Sequence, residues 1–227
     1  MKIRFLGTGA ADWPVDATDD KGYNRYFSSA VIDDILLIDP GPHIFLSADK
    51  YGIDLTKVKY IINTHPHSDH YNKESIAKLQ ETDAQFIEFS AGESKEIGGY
   101  NISAYQSNHA TSTAYSVHFI IDDGSKKLFY GLDCAWLLYE EVADIKKKGI
   151  DLAVLDATIG DVPGDYRIFE HNNLYMVEEM KKTLDPYIKR VMISHMAYTL
   201  HTDHETLVER MKPSGIEVAF DGLETEI

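Results

Sequence analysis

Residues 58–72, with the sequence VKYIINTHPHSDHYN, hold the densest group of potential metal ligands in the chain. The apolar, β-branched start of this stretch predicts a buried strand over residues 58–62. Four potential ligands follow directly: His65, His67, Asp69 and His70. Neutral imidazole and carboxylate groups suit zinc, manganese or iron, whereas calcium prefers oxygen ligands. The stretch therefore predicts a metal site at a strand end, with a solvated histidine-rich loop as the less favoured interpretation.

Three later polar residues also follow predicted strands and can complete a set of ligands. They are His109, after a strand ending near residue 106, Asp133, after one ending near residue 131, and His195, after one ending near residue 193. Each of them alone is equally consistent with a hydrogen-bonded polar residue at a strand end. Together with the first four they supply enough donors for two ions, and the carboxylate of Asp133 can bridge them.

The composition is that of an ordinary folded protein. The chain has 227 residues, 44% hydrophobic and 26% charged, and we expect a single domain over residues 1–227. No apolar run approaches the roughly 20 residues of a membrane helix, and the apolar start is too short for the core of a signal peptide. These features predict a cytoplasmic protein with no membrane partner.

The cysteine content and the net charge limit the kinds of metal site and substrate that the chain can have. Cys134 is the only cysteine, which excludes an internal disulfide and a thiolate-rich zinc site. The formal net charge of -15 disfavours extended nucleic acid as a partner, because the surface repels phosphate polymers. A small substrate is therefore favoured.

The rest of the chain alternates between strand and helix patterns. Predicted strands cover residues 2–6, 29–33, 35–38, 102–106, 115–121, 127–131, 152–155 and 191–193. Predicted helices cover residues 73–79, 136–147 and 174–184, and a last helix is capped by Asp203 and runs through Met211. The pattern predicts a layered α/β protein whose polar strand ends converge at one edge.

The order and spacing of these ligands resemble the metallo-β-lactamase superfamily. The motif is His65-x-His67-x-Asp69-His70, followed by His109, Asp133 and His195, with an opening Phe5-Leu6-Gly7-Thr8-Gly9 and the segment Ile38-Asp39-Pro40-Gly41. The resemblance covers nearly the whole chain and implies an α/β fold, a four-layered αββα sandwich. It also implies two divalent metal ions, zinc or manganese, as cofactors. It assigns His65, His67 and His109 to one ion, Asp69, His70 and His195 to the other, and Asp133 to both.

Two further segments resemble the branch of phosphoribosyl cyclic phosphate phosphodiesterases and tRNase Z enzymes. They are residues 169–174, which contain His171, and residues 220–224. In that branch a histidine outside the metal ligands protonates the leaving alkoxide, and His171 matches it in position; a helix-capping or surface histidine is the alternative. The chain departs from the phosphodiesterase pattern at residues 10–14, which hold no cysteine. It also lacks a long basic insertion that would grip tRNA.

The resemblance thus implies a metal-dependent hydrolase, and a phosphoric diester hydrolase is favoured. The substrate would be a small cyclic or nucleotide-like phosphodiester, cleaved by hydroxide shared between the ions, with Asp69 as an orienting ligand and His171 as the proton donor. A lactonase or thioesterase can use the same site, and a metal-stabilised binding protein without catalysis is a third interpretation. A homodimer also remains open.

Other polar and aromatic residues have less certain roles. Arg25, Arg167, Tyr198 and Thr199 can contact phosphate, although a packing or surface role is favoured for each. His201 and His204 are expected beside the ligands or on the surface, His43 beside the site, and His118 on a strand surface. Trp13, Tyr23 and Phe27 can wall a pocket or stabilise a dimer.

Overall fold

Two β-sheets pack face to face, and helices cover both of their outer surfaces. The computed structural model describes residues 1–109 and 116–227. The first sheet contains β1 (Lys2–Gly7), β2 (Ser29–Ile32), β3 (Leu36–Ile38), β4 (Tyr60–Ile62), β5 (Gln85–Phe86) and β13 (Glu224–Glu226), in the order β13-β1-β2-β3-β4-β5. The second sheet contains β6 (Ser94–Ile97), β7 (Tyr100–Gln106), β8 (Val117–Asp122), β9 (Lys127–Gly131), β10 (Ile150–Asp156), β11 (Ile188–Ser194) and β12 (Ile216–Val218). Its order is β12-β11-β10-β9-β8-β7-β6.

The helices lie in two groups, one on each outer surface. They are α1 (Ile44–Tyr51), α2 (Lys73–Gln80), α3 (Tyr139–Lys148), α4 (Leu174–Leu184) and α5 (His204–Met211), with short 3-10 helices at Leu55–Lys57, Tyr166–Phe169 and Lys212–Ser214. Apolar residues of α1 and α2 pack on the first sheet, and those of α3, α4 and α5 pack on the second.

Three buried clusters separate the four layers. The middle cluster fills the space between the sheets, where Phe119 and Ile121 of β8 point. Ile120, which lies between these two residues on the same strand, points instead to the cluster under α3 and α4. This alternation follows from the two-residue period of a strand with both faces buried. The predicted four-layered αββα sandwich is confirmed.

Strand direction brings the polar strand ends together. In the second sheet β9, β10 and β11 are parallel, and β7 runs the same way because both β7 and β9 are antiparallel to β8. Their carboxyl ends therefore lie at one edge, and they lead to His109, Asp133, Asp156 and His195. In the first sheet the parallel pair β3 and β4 leads to Asp39 and His65.

The sequence predicted two helix caps correctly, but it did not predict several of the short helices and strands. Asn72 accepts a hydrogen bond from the Ser75 N–H at 2.8 Å, and Asp203 accepts one from the Thr206 N–H at 3.1 Å, which confirms both caps. The third helix begins at Tyr139 rather than residue 136, because the Glu141 carboxylate accepts from the Leu138 N–H at the helix start. Helix α1 and the short strands β5, β6, β12 and β13 had no recognisable pattern. Residue 115 of one predicted strand lies outside the described residues.

The loop between β1 and β2 is held by a buried polar network. The Arg25 guanidinium donates to Thr8 Oγ1 at 2.6 Å and to the Ala219 carbonyl at 2.8 Å, and it lies 3.0 Å from His204 Nδ1. Thr8 in turn donates to Asp221 at 2.7 Å, and the Tyr26 N–H donates to the same carboxyl. Arg25 and His204 therefore have a packing role, as favoured from the sequence for Arg25.

The Asp221 network predicts a pH-dependent stability. Burial raises the pKa of Asp221 from its usual value of 3.8 to about 7, against the opposing hydrogen bonds of Tyr26 and Thr8. The folded state therefore retains a proton that the unfolded state loses, so this group makes the free energy of unfolding fall as pH rises from about 4 to 7. At about 1.4 kcal/mol per pKa unit, the fall is at most about 4 kcal/mol. Urea unfolding at several pH values measures it, and Asp221→Asn should flatten this part of the profile.

Candidate metal centre

The seven predicted ligands converge at the edge where the two sheets meet. They fall into two groups whose potential ligand atoms all lie within 4.8 Å of one another: His65, His67, His109 and Asp133, and then Asp69, His70, Asp133 and His195. The two groups match the assignment that the resemblance implied. His65 and His70 are fully buried, whereas His67, Asp69 and His195 also line a cavity of about 410 Å³.

The first group is a cluster of facing imidazoles. His109 Nε2 lies 3.1 Å from His67 Nδ1, and His65 Nε2 lies 3.3 Å from Asp133 Oδ2. The outer nitrogen of His109 donates to the Glu170 carbonyl at 3.2 Å, which leaves Nε2 to face the group. The ring of His65 is oriented in the same way by the Thr64 hydroxyl, 3.0 Å from Nδ1.

The second group is arranged around two carboxylates. His70 Nε2 lies 3.1 Å from His195 Nε2 and 3.3 Å from both Asp69 Oδ2 and Asp133 Oδ1. His195 Nε2 lies 3.0 Å from the same oxygen of Asp133. One oxygen of Asp133 therefore faces each group, as a bridging carboxylate requires.

The donor set fits bound cations. Two nitrogens in a tetrahedral zinc shell lie about 3.3 Å apart, since each is about 2.0 to 2.1 Å from the metal. The nitrogen pairs above have this separation. Asp133 Oδ1 and His65 Nε2 are also buried without a hydrogen-bond partner among the described residues. Buried polar atoms of this kind are normally satisfied, so a bound cation accounts for both.

Electrostatics in this centre couple the histidines to the carboxylates. Burial alone would lower the pKa of His70, but the charges of Asp133, Asp69 and Asp39 raise it well above its usual value. Burial would likewise raise the pKa of Asp133, but His195, His70 and His65 hold it well below its usual range. Without a metal, the charges of these carboxylates therefore favour the protonated form of His70.

Asp39 and Thr158 orient the ligands from behind, and their roles were not assigned from the sequence. Asp39 Oδ2 accepts from His70 Nδ1 at 2.9 Å, so the other ring nitrogen faces the centre. Thr158 Oγ1 lies 2.8 Å from His195 Nδ1 and does the same for that ring. Replacement of a residue that hydrogen-bonds to a metal ligand typically lowers metal affinity 10- to 100-fold. The only sequence clue for Asp39 was its place in the superfamily-like segment.

Backbone conformation at the strand ends aims these side chains. Asp39, Asp133 and His195 have positive φ values of 58°, 54° and 61°. Non-glycine residues rarely adopt this left-handed conformation, and they often do so at functional sites. Gly41 serves a different need, because a Cβ there would lie 2.2 Å from the Asp69 carbonyl oxygen. The loop after β3 can therefore pack against the backbone of Asp69 only if residue 41 is a glycine.

His171 lies beside the two groups and has a carboxylate of its own. Its Nδ1 is 2.7 Å from Asp156 Oδ2 and 3.1 Å from the Thr158 hydroxyl. Its ring stacks on His195 with centroids 5.5 Å apart and lies 5.0 Å from the ring of His109. Burial would lower the pKa of His171, but the charge and hydrogen bond of Asp156 raise it to about 9. The carboxylate of Asp156 therefore favours the protonated form of His171, and this histidine lines the cavity.

Of the residues whose roles the sequence left uncertain, some line the cavity and others do not. Arg167 lines it, although its guanidinium makes a two-point ion pair with Asp165 at 2.7 and 2.8 Å. The backbone N–H groups of Tyr198 and Thr199 donate instead to Asp12. His201 contacts the Ala157 carbonyl, and His43 packs against Phe27. The cavity lining excludes Trp13, Tyr23 and Phe27, so none of the three walls it.

His118 was wrongly predicted to lie on a strand surface. It is fully buried under the centre, with Nδ1 paired to Glu141 and Nε2 3.0 Å from the Leu132 carbonyl. The prediction failed because the second sheet is covered on both faces, so alternation along β8 does not mark solvent.

Comparison with known proteins gives a family match over part of the chain and one partial relative. The model of the metallo-β-lactamase superfamily matches residues 28–72. A UPF0173 protein of Pyrococcus furiosus is 34% identical over 112 residues; the match covers 41% of this chain and spans about half, 49%, of the length of that relative.

Several solved structures share the fold over the full length of the chain. The metallo-β-lactamase fold protein YhfI of Bacillus subtilis is 16% identical with a TM-score of 0.75, covering 100% of this chain and 99% of that one. A diphosphatase of the PhnP family is 20% identical with a TM-score of 0.73, covering 100% and 97%. The short form of human tRNase Z is 16% identical with a TM-score of 0.71, covering 100% and 99%.

The family model covers residues 28–72, and the solved structures show that the chain as a whole has the metallo-β-lactamase fold. The two clusters of histidine and aspartate lie within that fold as a candidate site for divalent metal ions. Within residues 1–109 and 116–227, no helix has the length and apolar character to cross a membrane.

Proposed function

We propose that the protein is a phosphodiesterase that uses two divalent ions, zinc or manganese, on a small cyclic or nucleotide-like phosphodiester. The observation that carries this proposal is the position of His171, which lines the cavity beside both ligand groups and is held by Asp156. An acid distinct from the metal ligands suits the expulsion of a poor alkoxide leaving group. The likeness to a diphosphatase and to a tRNase Z supports chemistry at phosphorus.

Each group of residues has a defined task in this reaction. When bound, the two ions supply a nucleophilic water of lowered pKa and stabilise charge on the phosphate. Asp69, at the cavity wall, orients the second ligand group. Asp156 holds Nδ1 of His171 and stabilises its imidazolium form. The free ring nitrogen, Nε2, then donates its proton to the departing oxygen.

The cavity favours a small substrate. Its volume of about 410 Å³ admits a sugar phosphate or a mononucleotide. Arg167 is the arginine in its lining, and Asp165 already balances its charge. Together with the net charge of -15, this leaves little positive surface to hold a long phosphate chain.

A substrate panel with metal-reloaded protein tests the proposal. Purified protein is stripped of metal, reloaded with zinc or manganese, and assayed on a ribosyl cyclic phosphate, bis-p-nitrophenyl phosphate and a lactone. We expect metal-dependent cleavage of the phosphodiesters, with the cyclic ester lost in Asp69→Ala and His171→Ala. Lactone cleavage that is indifferent to His171 would instead identify an acyl hydrolase. Binding of two ions with no turnover on any ester would favour a binding protein.

Metal binding should release a proton from His70. The carboxylates around it raise its pKa, so proton and metal compete for Nε2. The apparent affinity for zinc should therefore increase as pH rises from about 5.5 to 8. Calorimetric titration in two buffers of different ionisation enthalpy measures the released proton. Equal heats in both buffers over this range would show that His70 is already neutral in the metal-free protein.

A further inference from the structure

We propose that the buried pair His118 and Glu141 positions the bridging ligand Asp133. The inference rests on the proposed metal centre and deepens it. Neither residue reaches the ligand groups, and neither belongs to the superfamily-like motif. Both are fully buried, at 0% exposure, directly below the loop that connects β9 to α3. This loop, residues 132–138, begins with the carbonyl of Leu132 and carries Asp133 as its second residue.

The loop needs to be held because its conformation is unfavourable. Asp133 has a φ of 54° and Trp136 a φ of 60°, and neither is a glycine. A non-glycine residue in this left-handed conformation is disfavoured and persists only where its surroundings fix it. A small rotation at Asp133 would move both carboxylate oxygens away from the two ligand groups together.

The pair binds the loop at both of its ends. On the β9 side, His118 Nε2 donates to the Leu132 carbonyl at 3.0 Å, one residue before Asp133. On the α3 side, one oxygen of Glu141 accepts from the Leu138 N–H at 2.7 Å. The other oxygen of Glu141 pairs with His118 Nδ1, which closes the connection.

Two asparagines fix the middle of the same loop and tie it to the rest of the centre. Ala135 donates its N–H to the Asn108 carbonyl at 3.1 Å, and Asn108 is adjacent to His109. Trp136 donates its N–H to Asn172 Oδ1 at 2.8 Å, and Asn172 is adjacent to His171. These bonds fix the loop relative to His109 and to His171. The side chain of His118 binds the carbonyl of the peptide that precedes Asp133.

A matched pair of substitutions at His118 tests the inference. The amide of His118→Gln can place its nitrogen where Nε2 lies and keep the bond to Leu132. The amide of His118→Asn reaches only the Nδ1 position, so it keeps the contact with Glu141 and loses the one with Leu132. Both variants remain polar and both lose one partner. Ile145→Ala, a buried change in the same helix as Glu141, controls for destabilisation alone.

Cobalt(II) is the probe, since its visible spectrum reports the number and geometry of its ligands. The wild type should bind two ions, and His118→Asn should bind them about 10- to 100-fold more weakly with an altered spectrum. His118→Gln and Ile145→Ala should keep affinity and spectrum near those of the wild type. Equal affinities for His118→Asn and His118→Gln would overturn the inference while leaving the metal centre intact.

Two other results have defined meanings. No cobalt binding by the wild type would overturn the metal centre and this inference with it. If His118→Asn does not fold, Glu141→Leu replaces it as the variant, because it removes the acceptor of the Leu138 N–H, the contact that holds the other end of the loop. An unchanged affinity and spectrum in Glu141→Leu would also overturn the positioning role.

Discussion

Replacement of Asp133 by alanine is expected to lower kcat/KM by at least about 1000-fold and to abolish cooperative binding of two metal ions. Its two oxygens face different ligand groups, 3.3 Å from His65 Nε2 and 3.0 Å from His195 Nε2. No other described residue joins the first group to the second. Metal ions stabilise charge in the transition state by several kcal/mol, and each 1.4 kcal/mol is a factor of ten in rate. Metal content per chain and steady-state kinetics on the same preparations measure the effect.

Asp133→Asn is the matched comparison, because it keeps the shape of the side chain and removes its charge. The ionised form of Asp133 is stabilised by three imidazoles, which hold its pKa well below the usual range after the cost of burial is overcome. The asparagine should therefore bind metal nearly as poorly as the alanine. Wild-type metal content in Asp133→Asn would show that shape, not charge, is what this position supplies, and would contradict the bridging role.

The variants should also gain less stability from added metal than the wild type does. Asp133 lies at the centre of buried imidazoles, so its removal leaves His70 with fewer carboxylates and lowers its proton affinity. In the wild type, bound metal adds to the free energy of unfolding in proportion to the logarithm of its concentration over Kd. Asp133→Ala should lose most of that increment.

The convergence of the candidate ligand residues was predictable because they stand in a short, ordered pattern after recognisable strands. His65, His67 and Asp69 follow a β-branched strand, and the later ligands each follow another. Parallel strand direction then places those ends at one edge, which is a property of the fold class and not of any single residue. The grouping in the structure has the same membership as the one implied by the resemblance.

The residues that orient the ligands were not predictable in this way. Asp156 and Thr158 lie in an ordinary strand end, and only the parallel pairing of β10 with β11 brings them to His195 and His171. The pairing of His118 with Glu141 crosses from a strand to a helix, 23 residues apart, with no local pattern. The left-handed backbone at Asp133 could not be predicted either, because aspartate tolerates this conformation but adopts it at only some of its positions.

These orienting residues link the two halves of the proposed reaction. Asp156 Oδ2 accepts from His171 Nδ1 at 2.7 Å and from the Thr158 hydroxyl at 3.1 Å, and that hydroxyl contacts His195. One buried carboxylate thus supports both the proton donor and a metal ligand. A change at Asp156 should affect both functions, whereas a change at His171 should affect only proton transfer.

Replacement of His171 by alanine is expected to lower kcat for a dialkyl or cyclic ribosyl phosphodiester by about 100- to 10,000-fold, the usual range for loss of a general acid. The same variant should lose less than about tenfold on bis-p-nitrophenyl phosphate. A p-nitrophenolate leaves readily without a proton, whereas an alkoxide does not. Metal content should stay near that of the wild type, because His171 belongs to neither of the two groups that contain the seven predicted ligands. Its potential ligand atoms fall instead in a third group, with Asp133, Asp156 and His195.

The pH profile gives an independent test of the same role. The charge of Asp156 outweighs burial and raises the pKa of His171 to about 9, and nearby divalent cations would lower this value. The acid must be protonated to act, so at saturating metal it sets the high-pH limb of the profile, and kcat on the alkyl ester should fall at or below about pH 9. Asp156→Asn removes the supporting charge and should move this decline to lower pH. An equal loss on both esters in His171→Ala, with metal content reduced in parallel, would instead make His171 a ligand in the group it shares with Asp133, Asp156 and His195.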